Sequence, residues 1–521
     1  MTENISLGFV IPPSTSSQVS VSAWSDNNNV GVVGKMVYVD QSIDGENYRA
    51  LGTVTDTLTT NSVMTSGTSL AATANTRNNA FSGSDLKTYE IKIQSVYRQG
   101  EEGWKQAGSG FPISPDTRQD VYGLDNNIIN EIIQDKADDV VYVGNFRGIE
   151  NSPAPLVLSG FNTKRGATHS AIIGRSGTGK TGFGQTLLLA QMKNEGHAII
   201  VIDPQGQWSN EVGFLFSLQK AAQNLGREVK VLRVSEDIRL PQSSSLLAHF
   251  MEETRLWSAL QRMADDNRYA LSQEVSKKAI SVLKENPNSS PKDILFKAFS
   301  DIAKSRAIMG RIYARGGEQG ENLRRLFCFL TDQPFINKNE EEEIPTPEDL
   351  ADASETWDSI LNKFTPLINL FMKENLSGGP RVSLHSALSG ILKVRGDGEV
   401  APYVILDMSS DTALSSRANY AALTGVTSDT ATLLNMRNML DNQEIKAHIV
   451  STILDEVKHR AEEAFSNDGG LLDTQIVFDE AWRFAPRPGD VTKGSAIKDL
   501  TDKLAGFALD TRKYGIGWTY I

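Results

Sequence analysis

The residues Gly174 to Thr181 read G-R-S-G-T-G-K-T, a combination suited to holding a triphosphate. Glycines let successive backbone N–H groups turn towards one point, and the start of a helix adds positive potential there. Lys180 supplies a charge for the β- and γ-phosphates, and Thr181 offers a hydroxyl to magnesium. The strand-like HSAII before this stretch and the helical GFGQTLLLAQMKN after it give the context that a P-loop requires.

We therefore predict a nucleotide-binding P-loop. The alternative, a flexible glycine-rich turn, would match both the motif and its context only by chance. The predicted nucleotide-binding residues are Gly174, Arg175, Ser176, Gly177, Thr178, Gly179, Lys180, Thr181 and Gly182. A P-loop does not by itself distinguish kinases, GTPases and motors.

A second motif, TQIVFDEAWRFAP, contains adjacent carboxylates at the end of an apolar strand. Ligands bind at the carboxyl ends of strands in open α/β sheets, so Asp479 and Glu480 are candidate site residues. Asp479 would hold the magnesium shell through water, and Glu480 would polarise the water that attacks the γ-phosphate. Such a pair favours a hydrolase over a kinase, although two acidic residues can also end a strand simply for solubility.

The elements that must position these residues indicate an α/β fold with a central, mostly parallel sheet. Residues 1–150 contain short alternating runs typical of a small β-barrel or sandwich, with a polar loop from Thr59 to Ser84. Residues 151–240 and 381–521 combine apolar strands with amphipathic helices and form the two parts of the α/β core. Residues 241–380 predict a helical insertion without strands, in which the acidic stretch Asn339–Glu355 is a solvated loop leading into a helix.

Composition excludes several classes of protein. The chain has 521 residues, 22% of them charged, and a net charge of −12, which argues against a surface-wide nucleic-acid binder but not against a ring with basic loops in its pore. Its single cysteine, Cys328, excludes an intramolecular disulfide framework and is predicted to be a buried apolar residue. No signal peptide and no run of about eighteen apolar residues are present, so we expect a cytoplasmic protein without a membrane segment.

Five segments, taken in order, resemble the HerA-like branch of the HerA/FtsK superfamily. They are HSAIIGRSGTGKTG, VIDPQGQWS, YVILDMSS, IVFDEAWRFAP and TRKYGIGW, and the N-terminal strands resemble the small barrel of HerA proteins. None of these segments lies in the helical insertion.

The resemblance implies a RecA-like P-loop ATPase core, with ATP and Mg²⁺ as cofactors and Thr181 and Asp479 on the metal. It implies a homo-hexamer that translocates or unwinds double-stranded DNA, with a NurA-like nuclease or another effector docked on the N-terminal barrel. The setting would be DNA end processing or antiphage defence. Two alternatives remain: a conjugation-type DNA-transfer ATPase, and a ring scaffold that binds nucleotide and activates an effector without processive translocation.

Further site residues follow from the resemblance and from strand positions. Arg512 or Lys513 would act as an arginine finger on the neighbouring subunit's nucleotide, although basic residues also favourably end a helix. Asp203 and Asp407 end strands on the same edge as the P-loop and could lie behind the site. His169 precedes a buried strand without metal-ligand spacing, and we expect it to be structural.

The sequence departs from the HerA pattern at two places. Gln207 stands where many relatives carry glutamate in D-P-x-G-E, which could slow hydrolysis. The sequence also ends at Ile521, before the polar sensor residue of relatives, and on that basis we expect it to be C-terminally incomplete.

Overall fold

A computed structural model describes residues 6–24, 31–61, 85–101, 103–134, 140–146, 153–157, 167–175, 177–260, 265–305, 307–308, 328, 334–336, 342–343, 347–376, 378–396, 398–410, 430–484 and 495–521. The chain divides into two compact units, Met1–Asn162 and Thr163–Ile521. Among the residues described, no helix combines the length and hydrophobicity needed to span a bilayer.

The first unit contains a closed antiparallel barrel. Its strands are β1 (Ser6–Ile11), β2 (Gln18–Ala23), β3 (Met36–Ile43), β4 (Glu46–Asn61), β5 (Asp85–Gly100), β6 (Gly103–Gly108) and β7 (Asp120–Gly123). Six strands close in the order β2-β1-β7-β3-β4-β5, because β5 pairs back to β2, and β6 extends the sheet beyond β5. This confirms the predicted barrel and excludes the sandwich.

Strands β4 and β5 are longer than the sequence pattern suggested. Each spans sixteen residues, and register shifts at Leu51/Gly52 and Val54/Asp56 bend their ladder. Such bulges help a sheet curl into a small barrel. Residues 59–61 of the predicted loop therefore belong to β4, and its residues 62–84 lie outside those described.

A helix covers the outside of the barrel. Helix α1 (Asn126–Ile133) buries three isoleucines in a cluster that includes Tyr38 and Trp104. Beside this cluster, the buried Arg49 guanidinium forms a bidentate pair with Asp40 at 2.7 and 2.8 Å. A short hairpin, β8 (Val140–Asn145) with β9 (Pro153–Val157), completes the described part of this unit.

The second unit is built on a six-stranded parallel sheet. Its strands are β10 (His169–Ala171), β11 (Ala198–Asp203), β12 (Val229–Arg233), β17 (Tyr403–Asp407), β18 (Thr474–Phe478) and β19 (Ile516–Tyr520), in the order β10-β19-β18-β11-β17-β12. The α/β fold with a parallel sheet is thus confirmed. Strand β12 was not predicted, since its sequence VKVLR is half-polar and it lies at a sheet edge.

Helices cover both faces of this sheet. On one face, α2 (Lys180–Gln191) and α3 (Leu218–Asn224) pack on Ile199 and Val201 of β11. On the other, Ile200 and Ile202 join a larger core with α10 (Gln443–Asp468) and α11 (Ala496–Arg512). Successive strand residues point to opposite faces, so a strand covered on both sides must be apolar throughout.

Between β12 and β17 the chain forms a helical segment, bounded by the parallel pair β13 (Ile238–Arg239) and β16 (Val382–Ser383). Its helices are α4 (Ser244–Glu253), α5 (Asp265–Glu285), α6 (Pro291–Lys304) and α7 (Pro347–Asn369); α8 (Leu384–Ser389) and α9 (Thr430–Asp441) follow. Cys328 is buried in the same core, as expected.

Two expectations about this segment were wrong in detail. It does contain strands, because β14 (Phe335–Ile336) and β15 (Glu342–Glu343) form a small hairpin, so the predicted acidic loop is partly a strand. The second difference is an interruption of the helix predicted for MEETRLWSALQRMADDNRYALSQEVSKKAISVLKEN. After α4, Arg255 adopts a left-handed conformation (φ 49°), and the short 3₁₀ helix Leu256–Ala259 follows.

Helix α7 continues through a proline. Pro366 has no N–H to donate to the Asn362 carbonyl one turn earlier. That carbonyl instead accepts from Asn435 Nδ2 of α9 at 3.1 Å. A tertiary contact thus replaces the missing helical hydrogen bond and joins α7 to α9.

A buried arginine links several chain segments at the amino end of the parallel sheet. Arg227, 3% exposed, donates to the carbonyls of Met192, Asn194, His197 and Ala401. Burial lowers the pKa of Arg227 to about 10, because the buried guanidinium loses its hydration. The guanidinium therefore links the end of α2 to the starts of β11 and β17.

We expect Arg227→Ala to destabilise the second unit by about 3 kcal/mol or more, since several buried carbonyls lose their donor. Calorimetry of the ligand-free protein would show this as a lowered unfolding midpoint. As a control, Arg437→Ala removes an arginine that pairs with Asp441 through side chains that are each about half exposed, and it should change stability by at most about 0.5 kcal/mol. Equal midpoints for the two variants would contradict the structural role of Arg227.

Candidate functional site

The P-loop connects β10 to α2, as predicted. Gly177 and Gly179 have φ of 77° and 87°, and Gly179 is the N-cap of α2 without a side-chain cap. A Cβ at Gly174 would lie 2.7 Å from Thr178 Oγ1, so the loop closes tightly on itself there. The first helical N–H groups therefore remain available for an anion.

Polar groups of the loop converge on one carbonyl. Thr178 Oγ1 and Lys180 Nζ donate to the Arg175 carbonyl at 2.7 and 3.2 Å. Lys180 thus lies across the loop, and Thr181 follows it on the first turn of α2. Arg175 is exposed. Ser176 lies outside the described residues, so its predicted role stays a prediction.

Three aspartates lie side by side at the carboxyl edge of the sheet. Asp203 is level with Asp407 of β17, and Asp479 directly follows Phe478, which is level with Ile202. All three are at most 2% exposed. This edge also carries the P-loop, so the parallel register brings the predicted Asp479 into the same region as Lys180. Burial raises the pKa of Asp479, and the charge of Lys180 partly opposes that rise.

Asp203 organises the turn that follows it. Its carboxylate accepts four backbone N–H groups, from Gly206, Gln207, Trp208 and Ser209, at 2.9–3.1 Å. The pKa of Asp203 is raised to about 6, chiefly by burial and also by the neighbouring aspartates, while these hydrogen bonds oppose the shift. Asp203 is therefore a structural acceptor, and its carboxylate is fully used within the turn.

The turn places a buried tryptophan beside Asp479. Trp208 is fully buried and packs edge-on against Phe214 at 5.1 Å between ring centres. Its indole N–H faces the Asp479 carboxylate and lowers the pKa of that group, although it lacks hydrogen-bond geometry. Burial dominates and raises the pKa of Asp479 to about 6. Within the described residues, Asp479 Oδ2 has no hydrogen-bond partner.

Glu480 follows in a strained backbone conformation, with φ of 53° in the left-handed region. Its carboxylate accepts from the Trp482 indole, and Arg483 Nε lies 3.5 Å from the same oxygen. The Gln205 side chain, with its amide oxygen turned to the guanidinium, meets Arg483 Nε and Nη1 at 3.0 Å. Glu480 is therefore already held by neighbours at the edge of the sheet.

Several of these residues were missed by the sequence interpretation. Trp208, Gln205 and Arg483 all lie within quoted motifs, but their contacts join segments far apart in the chain. Lys446 of α10 carries no sequence signal at all. It is buried, donates to the Pro204 carbonyl at 2.5 Å and lies near Asp203 and Asp407; burial lowers its pKa while these aspartates oppose the shift.

Arg512 and Lys513 lie at the opposite edge of the sheet. Arg512 ends α11, just before β19 begins at Ile516, and parallel strands run from that edge towards the P-loop. Arg512 is close enough to His169 to lower its pKa, together with desolvation. Neither Arg512 nor His169 therefore lies at the P-loop edge of the same chain, and an arginine finger could act only on a neighbouring subunit.

The residues present fit a hydrated divalent cation. Asp479 offers a buried carboxylate oxygen without a hydrogen-bond partner among the described residues, at the sheet edge that also carries the P-loop, and Mg²⁺ prefers oxygen ligands. The described residues form no cluster of three or more histidine, cysteine or acidic ligands.

We expect Asp479→Asn to stabilise the ligand-free protein at pH 8 by about 1–3 kcal/mol, because it removes a buried, poorly compensated charge. The folded-state pKa is raised from 3.8 to about 6, so the penalty develops as pH rises through this window. The gain should therefore be smaller at pH 5 than at pH 8, as measured by thermal unfolding.

Asp203→Asn is the matched control, since it makes the same change one strand away. An asparagine side chain has one accepting oxygen, whereas both carboxylate oxygens of Asp203 accept backbone N–H groups. This variant should lower the unfolding midpoint at both pH values, and stabilisation by both substitutions would contradict the assignment of distinct roles.

One family model matches a part of the chain that includes the P-loop but ends before Asp479 and Glu480. Residues 141–359 match the family model described as the central domain of helicase HerA. The match begins in β8 and runs through the P-loop into α7, so it includes residues 241–359 of the predicted insertion, a region without any of the five HerA-like segments. No curated protein matches the chain significantly. Together with the barrel, the parallel sheet and the P-loop, this match supports a HerA-like P-loop ATPase.

Proposed function

We propose that the protein hydrolyses ATP and uses the energy to translocate double-stranded DNA through a homo-hexameric ring in the cytoplasm. One observation carries the ATPase part of this proposal. The P-loop lysine, Lys180, and the carboxylates Asp479 and Glu480 all lie at one edge of a parallel sheet. A triphosphate cradle beside an acidic pair is the arrangement that P-loop hydrolases use.

In this mechanism the P-loop amides and Lys180 bind and orient the β- and γ-phosphates. Thr181 and Asp479 would hold Mg²⁺, which neutralises phosphate charge when bound. Glu480 orients the attacking water and takes its proton, while the buried edge keeps other water away. Gly182, directly after the loop, packs closely against the Leu215 side chain, since a Cβ at position 182 would lie 3.1 Å from it.

The ring itself is supported by the position of Arg512. It lies at the far edge of its own sheet, so it can complete a nucleotide site only on a neighbouring subunit. In the proposed hexamer Arg512, or Lys513 next to it, neutralises charge on the transferred phosphate. DNA would be held through its backbone by basic pore loops, irrespective of sequence. The N-terminal barrel would dock a nuclease or another effector.

Gln207 favours a second candidate, a nucleotide-binding ring that assembles an effector without processive translocation. The resemblance places a carboxylate at this position in many relatives, and this chain has an amide. Slow hydrolysis that DNA does not stimulate would fit such a scaffold.

Glu480→Gln should bind ATP as tightly as the wild type but lose at least roughly a hundredfold in turnover, since it removes the proposed base. Phosphate release and binding of a fluorescent ATP analogue measure the two properties separately. Lys180→Ala is the contrasting variant, because it should lose binding itself. Turnover by Glu480→Gln at the wild-type rate would show that another group accepts the proton.

Duplex DNA should raise the ATPase rate of the wild-type protein several-fold, and light scattering should give a hexamer. Raising the salt concentration should reduce the stimulation, because contacts with the phosphate backbone release counterions. If hexamers form, bind ATP and activate a nuclease but show no DNA stimulation, the scaffold function replaces the motor function.

A further inference from the structure

The Glu480 side chain is held by one hydrogen bond and one ion pair, both from residues no more than three positions away. Its carboxylate accepts from the Trp482 indole and lies 3.5 Å from Arg483 Nε. The Glu480 and Arg483 side chains are only 24% and 36% exposed, so solvent screens their attraction less than at an open surface.

Local backbone geometry produces this arrangement. The left-handed conformation of Glu480 ends β18 abruptly, and the 3₁₀ helix Ala481–Arg483 follows at once. The Arg483 N–H donates to the Glu480 carbonyl at 3.0 Å. Residues three apart are eclipsed in such a helix, so the two side chains lie on the same side of the turn.

A second group of contacts fixes Arg483 itself. Its guanidinium lies 5.4 Å from the centre of the Trp482 ring, within cation–π range. With the Gln205 amide oxygen turned to the guanidinium, that oxygen lies 3.0 Å from both Nε and Nη1 of Arg483. Gln205 belongs to the turn after β11, so this turn supports the arginine.

We propose that Arg483 is a positioning residue that holds the Glu480 carboxylate, and that Gln205 fixes the Arg483 guanidinium for this purpose. This inference rests on the proposed ATPase function, because it assigns the support of the group that accepts the proton from water. A glutamate side chain has three rotatable bonds, and fixing its carboxylate reduces the fraction of unproductive orientations.

The kinetic test uses Arg483→Ala in the full-length chain. Its kcat for ATP hydrolysis should fall roughly tenfold, while the KM for ATP stays within about twofold, since the phosphate-binding residues are unchanged. Arg483→Lys keeps the charge near Glu480 but loses the planar fork that meets Gln205, so it should recover part of the loss. A kcat unchanged in Arg483→Ala would overturn the proposal.

Arg460→Ala provides a matched control. Arg460 pairs with Glu463 in α10 at the same three-residue spacing, in contacts separate from those of Glu480. Its loss should leave kcat and KM unchanged. If Arg460→Ala lowers kcat as much as Arg483→Ala, the effect of Arg483 is general destabilisation and not positioning.

A readout without nucleotide separates this inference from the proposed function. In protein labelled with 5-fluorotryptophan, the ¹⁹F resonance of Trp482, assigned with Trp482→Phe, reports on the indole that contacts Glu480. Glu480→Gln should shift this resonance in the wild-type background and much less in the Arg483→Ala background. Equal shifts in both backgrounds would overturn the proposal, even where the wild-type protein hydrolyses ATP. A wild-type protein without ATPase activity would instead refute the proposed function. The Trp482 resonance would still show whether Arg483 positions Glu480.

Discussion

Burial of three negative charges in one row governs the carboxyl edge of the parallel sheet. Asp407, Asp203 and Asp479 end or follow three adjacent strands and are almost fully buried. Isolated buried carboxylates are costly, so each must be compensated or neutralised. The parallel register of the strands places the three carboxylates side by side. The groups that compensate each negative charge differ, and they determine the role of each aspartate.

The negative charges of the three aspartates are not equally compensated, and this difference indicates which carboxylate is suited to bind a cation. Asp203 receives four backbone N–H groups, and Asp407 accepts from the Ser409 N–H at 2.8 Å with Lys446 nearby. Asp479 has a tryptophan that faces it without a hydrogen bond, the backbone N–H of Glu480 and the charge of Lys180, and its Oδ2 atom has no hydrogen-bond partner within the described residues. Of the three carboxylates, Asp479 is therefore the one best suited to the proposed role as a magnesium ligand.

The sequence could predict those parts of the structure that depend on neighbouring residues. The P-loop, the strand before Asp479 and the barrel follow from local spacing and alternation, and the structure agrees with them. The break after Thr254 and strand β12 were missed, because local propensity there conflicts with the tertiary packing that decides the outcome. Contacts such as that between Gln205 and Arg483 join residues far apart in the chain, and no pattern within one segment could reveal them.

The amide at position 207 then has a physical consequence beyond the loss of a possible catalytic carboxylate. The Gln207 backbone N–H donates to Asp203, and Gln207 lies in the same turn as Gln205, which contacts Arg483. A carboxylate there would add a fourth negative charge beside the buried aspartates and would attract the guanidinium away from Glu480. The neutral side chain avoids both effects. A site with Gln207 can therefore keep the Glu480 carboxylate oriented, provided that Arg483 remains fixed. The amide at position 207 changes how the site is supported and does not by itself imply that the site is inactive.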